Sequence, residues 1–256
     1  MDTGLQDKVV LVTGGAGGIG EAVCRAFAAE GARVAVHFHS SAGPAEALAS
    51  DIGGVAVGAD LRVEEDADGL APAVVSLLGR LDVCVANAGA YPPDDVPLWD
   101  LPLHRWEETL RSNLTATFLT VRAFLKHAAE TQSGSLVLVG STAGTFGEAG
   151  HADYAAAKGA ISSGLLLTLK NEAARIGDGV RVNAVAPGWV ATPKRVRAGI
   201  DPGLVERAIS AMSLKKLATP EDVAAQIVAL ASDQVSGHLS GQVITVAGGM
   251  EGRQIP

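Results

Sequence analysis

The sequence predicts an α/β fold: one domain, 1–256, on a doubly wound parallel sheet of about seven strands with helices on both faces. Three observations predict it. Short runs that are apolar throughout, such as Val9-Val-Leu-Val12 and Leu136-Val-Leu-Val139, suit strands buried on both faces. These runs alternate with longer segments of helical character, the pattern of a parallel sheet with crossover helices. No repeat or composition shift marks an internal boundary in the 256 residues, which are 48% hydrophobic and 19% charged, enough for one sizeable core.

Composition also excludes several roles. A net charge of −8 argues against general affinity for nucleic acid or an anionic membrane. The two cysteines, Cys24 and Cys84, lie in no C-x-x-C pair, so neither a disulfide framework nor a thiolate metal site is expected. The first residues lack a basic-then-apolar signal pattern, and no apolar run reaches membrane-spanning length. The expectation is a soluble, reduced, cytoplasmic protein with no nucleic-acid or membrane partner and no metal.

Taken in order, Val9–Val12 is followed by Thr13-Gly-Gly-Ala-Gly-Gly-Ile-Gly20 and a helical stretch to Glu30. Strand, glycine loop and helix are the context of a dinucleotide fingerprint. The glycines admit a pyrophosphate to the backbone, and the helix N-terminus supplies amides and a favourable dipole. Two registers fit, Gly15-x-Gly17-x-x-Gly20 and Gly14-x-x-x-Gly18-x-Gly20. Arg33–Val36 reads as the second strand, whose end should meet the adenosine ribose. No acid stands between Glu30 and Glu46. The stretch His37-Phe-His-Ser-Ser41 therefore tolerates a 2′-phosphate, with His39, Ser40 and Ser41 as donors, although it contains no arginine. His37 and His39 share a strand face; without a third ligand they read as packing or surface residues rather than a metal site.

Val55–Val57 is a third strand, leading to Asp60 and Leu61. Asp60 either accepts from an adenine amino group or caps the helix that begins near Glu64. Leu81–Val85 is a fourth strand, and Ala86-Asn-Ala-Gly89 at its end suits a backbone lying against a flat cofactor. Tyr91 to Pro102, with four prolines and three aspartates, is a surface loop near the site edge. Leu103 to Glu130 is a long helix with Asn113 inside it, a poor mid-helix residue that signals a kink, a functional amide or simple exposure. Ser141 follows the fifth strand. Tyr154 and Lys158 then sit one helical turn apart on one face, where the ammonium favours the phenolate and tunes the tyrosine for proton transfer. Val180–Val185 is a sixth strand, closing with Pro187-Gly-Trp-Val-Ala-Thr192. A flap over the site spans about 190–216. Thr219-Pro-Glu-Asp222 opens the last helix, and Gln242–Val246 is the seventh strand.

The ordered set Thr13-Gly14-x-x-x-Gly18-Ile19-Gly20, Asn87-Ala88-Gly89, Asn113, Ser141, Tyr154-x-x-x-Lys158 and Pro187-Gly188 resembles the short-chain dehydrogenase/reductase family. The resemblance spans nearly the whole chain and is greatest to the branch of 3-oxoacyl-carrier-protein reductases and related carbonyl reductases. It implies a Rossmann-type oxidoreductase that moves a hydride between NADP(H) or NAD(H) and a carbonyl or secondary alcohol, either a 3-oxoacyl-thioester or a small ketone. In the roles it implies, Tyr154 is the proton donor or acceptor, and Lys158 lowers its pKa and holds the nicotinamide ribose. Ser141 binds the substrate oxygen, and Asn113 helps hold a water joining Lys158 to solvent. Gly14, Gly18, Ile19 and Gly20 line the pyrophosphate; Asp60 and Leu61 meet the adenine. Asn87, Ala88 and Gly89 lie along the cofactor, and Pro187, Gly188, Val190 and Thr192 close its carboxamide end. His151 and Trp189 line the substrate space. The resemblance also implies a homotetramer. Gly17 replaces the basic residue of many NADP-using members, and Phe38 replaces the acid of NAD-using ones. NADP(H) is favoured over NAD(H). The alternatives are a non-catalytic cofactor-sensing or scaffold homologue, an NAD(H)-dependent catabolic alcohol dehydrogenase, or an epimerase or dehydratase with transient hydride transfer.

Overall fold

A computed structural model describes residues 2–199 and 202–250. Its seven strands are β1 (Val9–Val12), β2 (Arg33–Phe38), β3 (Val55–Gly58), β4 (Val83–Ala86), β5 (Ser133–Val139), β6 (Gly179–Pro187) and β7 (Val243–Val246). They form one sheet in the order β3-β2-β1-β4-β5-β6-β7, every pairing parallel. The helices are α1 (Gly18–Ala29), α2 (Ala42–Asp51), α3 (Glu64–Leu78), α4 (Leu103–Leu110), α5 (Ala116–Thr131) and α6 (Ala143–Phe146). They continue as α7 (Ala152–Ala160), α8 (Leu166–Ile176), α9 (Pro193–Ala198), α10 (Pro202–Ser210), α11 (Pro220–Ala231) and α12 (Asp233–Ser236). The expected Rossmann-type α/β fold is the observed one.

The continuous apolar runs are explained by two cores. Successive side chains of a strand face opposite sides. Val9 and Leu11 of β1, Cys84 of β4 and Leu136 and Leu138 of β5 pack with Leu70 and Val74 of α3, Phe124 of α5 and Leu166 of α8. Val10, Val12, Val83, Val85, Val137 and Val139 face the other way, onto Val23 and Phe27 of α1, Leu48 of α2 and Ile227 of α11. A sheet covered on both faces has no polar side, so its strands cannot show an alternating pattern.

The strand order decides where a ligand can sit. From β1 the chain runs to β2 and β3 on one side, then returns to place β4 on the other. The strand order switches direction there, at the carboxyl ends of β1 and β4, the place where ligands of such sheets sit.

The segment expected as one helix from Leu103 to Glu130 is α4 and α5 joined by a π-helical turn, Arg111–Thr115. Asn113 lies in that turn and is wholly buried. Of the sequence's three readings of Asn113, solvent exposure does not hold, and the helix is irregular where it stands. The 190–216 segment contains α9 and α10 and is anchored at its base by a bridge between Val190 and Ala218; residues 200 and 201 of it lie outside the described residues. No helix among the described residues is long and apolar enough to cross a membrane.

Helix α11 starts as its sequence requires. Thr219 accepts from the Asp222 amide at 3.2 Å, Asp222 accepts from the Thr219 amide at 2.8 Å, and Pro220 occupies the first turn. Thr219→Ala removes half of this box. It should lower stability in urea denaturation by about 1 kcal/mol, with dinucleotide affinity unchanged. An unaltered midpoint would show that the cap contributes nothing.

Candidate active site

The crevice is assembled from its backbone upward. The Thr13 hydroxyl is buried at the end of β1. It donates to the Val85 carbonyl at 3.2 Å and accepts from the amides of Asn87 and Ala88, each at 3.0 Å. The Asn87 side-chain amide donates back to the carbonyls of Thr13 (2.8 Å) and Gly14 (3.2 Å). These bonds stitch the ends of β1 and β4 together at the switch point. A Cβ at Gly20 would collide with the Gly14 carbonyl oxygen, and one at Gly18 would lie 2.8 Å from Thr192 Cβ. Gly20 lets α1 sit tight against the loop, and Gly18 lets it approach the segment after β6. Gly17, the N-cap of α1, provides no side-chain cap. The first amides of the helix have no intrahelical partner and suit a pyrophosphate. The partly buried Ile19 side chain packs against the core beneath.

A cavity of about 660 Å³ runs from Gly14, His37, His39 and Asp60 to Tyr91 and Arg105. His39 is half exposed, with Nε2 3.5 Å from the Asp60 carboxylate. Asp60 caps no helix. It accepts from the Arg62 amide (3.0 Å) and from the Arg62 guanidinium through both oxygens (2.9 Å each). The guanidinium holds the Asp60 carboxyl well below the usual carboxylate range. Arg62 also reaches Glu108 at 3.2 Å. The turn after β3 thus brings a paired carboxylate and guanidinium beside the end of β2. Ser40 and Ser41 are exposed beside it.

At the other end, Asn113 donates to the carbonyls of Ala90 (2.9 Å) and Thr109 (3.0 Å) and accepts from the Ala90 amide (3.2 Å). A Cβ on Gly89 would stand 2.6 Å from Asn113 Oδ1 and 3.4 Å from Lys158 Nζ. Gly89, Asn113 and Lys158 therefore converge at one point. Lys158 is buried and donates to the Val139 carbonyl at 3.0 Å, with Nζ 5.7 Å from the centre of the Tyr154 ring. Burial pushes its pKa down to about 8. Ser141 lies two residues beyond Val139 and accepts from the Ala143 amide at 3.2 Å. Pro187 accepts from the Thr142 amide, and the Gly188 amide is tied to Val246. The Val190 side chain is buried in the core, which leaves Thr192 as the side chain of that run seen to meet the glycine loop.

An aromatic side chain that the sequence analysis did not single out stands against Tyr154. Tyr91 meets the Tyr154 ring edge-on at 5.1 Å and stacks on His151 at 4.5 Å. His151 is buried behind it, its ring nitrogens 3.1 Å from the Pro92 carbonyl and 3.3 Å from that of Ala149. Trp189 is half-buried, and its carbonyl accepts from the Ala218 amide. Asp153, beside Tyr154, is also buried. It accepts from Thr109 Oγ1 (2.8 Å), Arg105 Nε (3.0 Å) and the Tyr154 amide (2.9 Å). Burial alone would raise its pKa, but these three donors outweigh burial and hold the carboxyl below its ordinary value. Arg105 also donates to the Asp94 carbonyl at 2.8 Å, fastening the Tyr91–Pro102 loop to the start of α7. Among the described residues no group of three or more His, Cys, Asp or Glu side chains is arranged to hold a metal ion.

The profile of a family described as enoyl-(acyl carrier protein) reductase matches residues 14–251. The chain is 35% identical to a 3-oxoacyl-[acyl-carrier-protein] reductase of Synechocystis, over 97% of this chain and 98% of the relative. The chain belongs to the short-chain dehydrogenase/reductase family. It is also 34% identical to a cis-4-hydroxycyclohexanecarboxylate dehydrogenase of Sinomonas cyclohexanicum, over 97% and 98% of the two chains. It is 35% identical to an L-rhamnose 1-dehydrogenase (NAD(P)(+)) of Azotobacter vinelandii, over 96% and 97%. This short-chain dehydrogenase/reductase is an NAD(P)-dependent oxidoreductase acting between a carbonyl and a secondary alcohol, not a cofactor-sensing or scaffold homologue. The relatives' names run from acyl carriers to cyclic alcohols and sugars, so they agree on reaction class and differ on substrate.

Tyr91, Arg105 and Asp153 escaped the sequence reading because each acts through a partner more than 40 residues away; Arg62 escaped it because its bond to Asp60 lies in a turn of no regular period. A buried ammonium has a stability consequence. Lys158 has its pKa at about 8 in the fold against an ordinary 10.5, so the unfolded chain binds the proton more tightly. Lys158→Met should raise the melting temperature of the protein without cofactor at pH 7. The gain should fade as pH rises from about 8 to about 10.5. A gain independent of pH, or none, would contradict a buried charge.

Proposed function

We propose that Tyr154, Lys158, Ser141 and Asn113 carry the reaction, and that NADP(H) is preferred over NAD(H). The observation that carries the first part is the convergence of Lys158 Nζ, Asn113 and Gly89 beside the Tyr154 ring. A bound nicotinamide supplies or accepts the hydride. In reduction the substrate oxygen gains negative charge, and the Tyr154 hydroxyl gives it a proton. Ser141 Oγ hydrogen-bonds the same oxygen and stabilises the charge as it forms. The Lys158 ammonium, held against Val139, favours the tyrosinate left behind. Asn113, seated in the π-turn, keeps the Ala90 peptide fixed and helps hold a water through which Lys158 exchanges protons with solvent. In oxidation the same groups work in reverse, with Tyr154 as base.

The cofactor preference rests on the β2 end. His39, Ser40 and Ser41 offer donors, no acid stands on that strand, and Asp60 is neutralised by Arg62. Gly14, Gly18, Ile19 and Gly20 line the pyrophosphate; Asp60 and Leu61 flank the adenine; Asn87, Ala88 and Gly89 lie along the cofactor; Pro187, Gly188, Val190 and Thr192 close the nicotinamide end. The chain forms one domain with a flap at about 190–216. Substrate contacts come from Ser141, His151 and Trp189, with Tyr91 forming the wall beside Tyr154. Exposed Phe118 on α5, Leu167 on α8 and Val243 on the edge strand β7 support a homotetramer, and its setting is the cytoplasm.

Tyr154→Phe should lower kcat by at least about a thousandfold, as expected when the group that transfers the proton is lost, with dinucleotide affinity nearly intact. Retained turnover would remove Tyr154 from the chemistry. In calorimetric titration NADPH should bind at least about tenfold more tightly than NADH, as one charge-assisted hydrogen bond suffices to give. Tighter NADH would point instead to an NAD(H)-dependent alcohol dehydrogenase.

A further inference from the structure

His37 stands second from the end of β2 and is 2% exposed. Its ring joins two turns far apart in sequence. The Gly14 amide donates to Nδ1 at 3.0 Å, and Nε2 lies 3.1 Å from the Ala59 carbonyl. A nitrogen facing an N–H must present its lone pair, so the proton is on Nε2, which donates to Ala59. An imidazolium has no lone pair and would lose the Gly14 bond. The environment agrees with this. Burial, and to a lesser extent His39, push the ring's pKa down to about 4, against weaker opposing effects of the Ala59 carbonyl and Asp60, so it is neutral at physiological pH.

The same residue's backbone carbonyl accepts from the Gly15 amide at 2.9 Å. Gly14 has φ +62°, and its own carbonyl accepts from the Gly17 amide and from Asn87. The peptide that opens the glycine loop is therefore held at both ends, and its amide is committed to His37 rather than to a phosphate. Ala59 immediately precedes Asp60, at the adenosine end of the crevice.

We propose that His37 is a positioning residue for the dinucleotide: its neutral Nε2–H tautomer couples the Gly14 amide to the Ala59 carbonyl and sets the pyrophosphate loop and the adenosine-side turn in one binding-ready geometry. The proposal rests on the nicotinamide cofactor occupying this crevice. Preorganisation of this kind acts on affinity, because the ordering of both turns is complete before the ligand arrives.

Two measurements test it. The ¹⁵N spectrum of histidine-labelled protein at neutral pH should show His37 with Nδ1 unprotonated and Nε2 protonated, without averaging. Proton on Nδ1, or an averaged ring, would overturn the proposal whether or not cofactor binds. Calorimetric titration of His37→Phe with NADPH and NADH should show both weakened by about tenfold, the effect of two hydrogen bonds, with kcat at saturating cofactor within about threefold of wild type. His37→Asn places Oδ1 near the Nδ1 position, keeps the acceptor for Gly14 and should recover most of the affinity. Unchanged affinity in His37→Phe, or an asparagine variant as weak as the phenylalanine one, would overturn it. If His37→Phe does not fold, the tautomer and His37→Asn still decide. Wild-type protein that binds neither dinucleotide would instead refute the cofactor assignment.

Discussion

The arrangement of the candidate site depends most on the burial of one ammonium group. Lys158 is removed from water and satisfied by the Val139 carbonyl at the end of β5. Burying a charge is costly unless it is bonded, so the helix and strand that share it are held in one relation. That relation brings the Tyr154 ring over the strand ends and sets Ser141, two residues beyond Val139, at the same rim. The close approach of Gly144 to the backbone of Lys158 and Gly159, where a Cβ would stand 2.5 Å from backbone atoms, lets α6 and α7 pack without side chains between them. A site built this way gives up stability for a lysine able to act on its neighbour, a trade common where pKa values are displaced.

Asn113 reaches the site by a different device. In a regular α-helix its amide would compete with the helical ladder. The π-turn over Arg111–Thr115 interrupts that ladder, and the Asn113 side chain bonds to both polar groups of the Ala90 peptide. A second π-turn, Ile161–Leu165, separates α7 from α8. Both long helices that border the site carry this irregularity, in keeping with the tendency of π-bulges to mark functional positions. The Tyr91–Pro102 loop is then fixed from the helix side by Arg105 and from the α7 side by the Tyr91–His151 stack. The wall next to Tyr154 is accordingly an ordered surface although it belongs to no regular element.

Charge in the turn after β3 is organised by Arg62. Its guanidinium covers Asp60 and touches Glu108, so an acid that reads in sequence as a free acceptor is half of an ion pair. His39 stands at the rim of this group and His37 lies beneath it. The sequence expected both histidines on one strand face, but β2 ends at Phe38, so His39 stands beyond the strand, half exposed near a carboxylate, while His37 is sealed between two turns.

The sequence by itself determined the sheet, its parallel sense and the reaction class. Uniform apolar runs such as Val9–Val12 arise only where both faces are covered, and local spacing alone places Tyr154 and Lys158 on one turn and glycines at the mouth of α1. It also marked Asn113 as out of place in a helix, and Thr219 and Asp222 as a cap. These signals are legible because their physics is local: a period, a cap, a steric requirement at one residue. Tertiary structure decided what distance in sequence conceals. The pairing of Arg105 with Asp153 and of Tyr91 with His151, the meeting of Gly89 with Lys158, and the role of His37 between Gly14 and Ala59 each join segments 20 to 70 residues apart. No period or propensity records such contacts; they exist only once the crossover of β4 to the far side of β1 has brought the strand ends together.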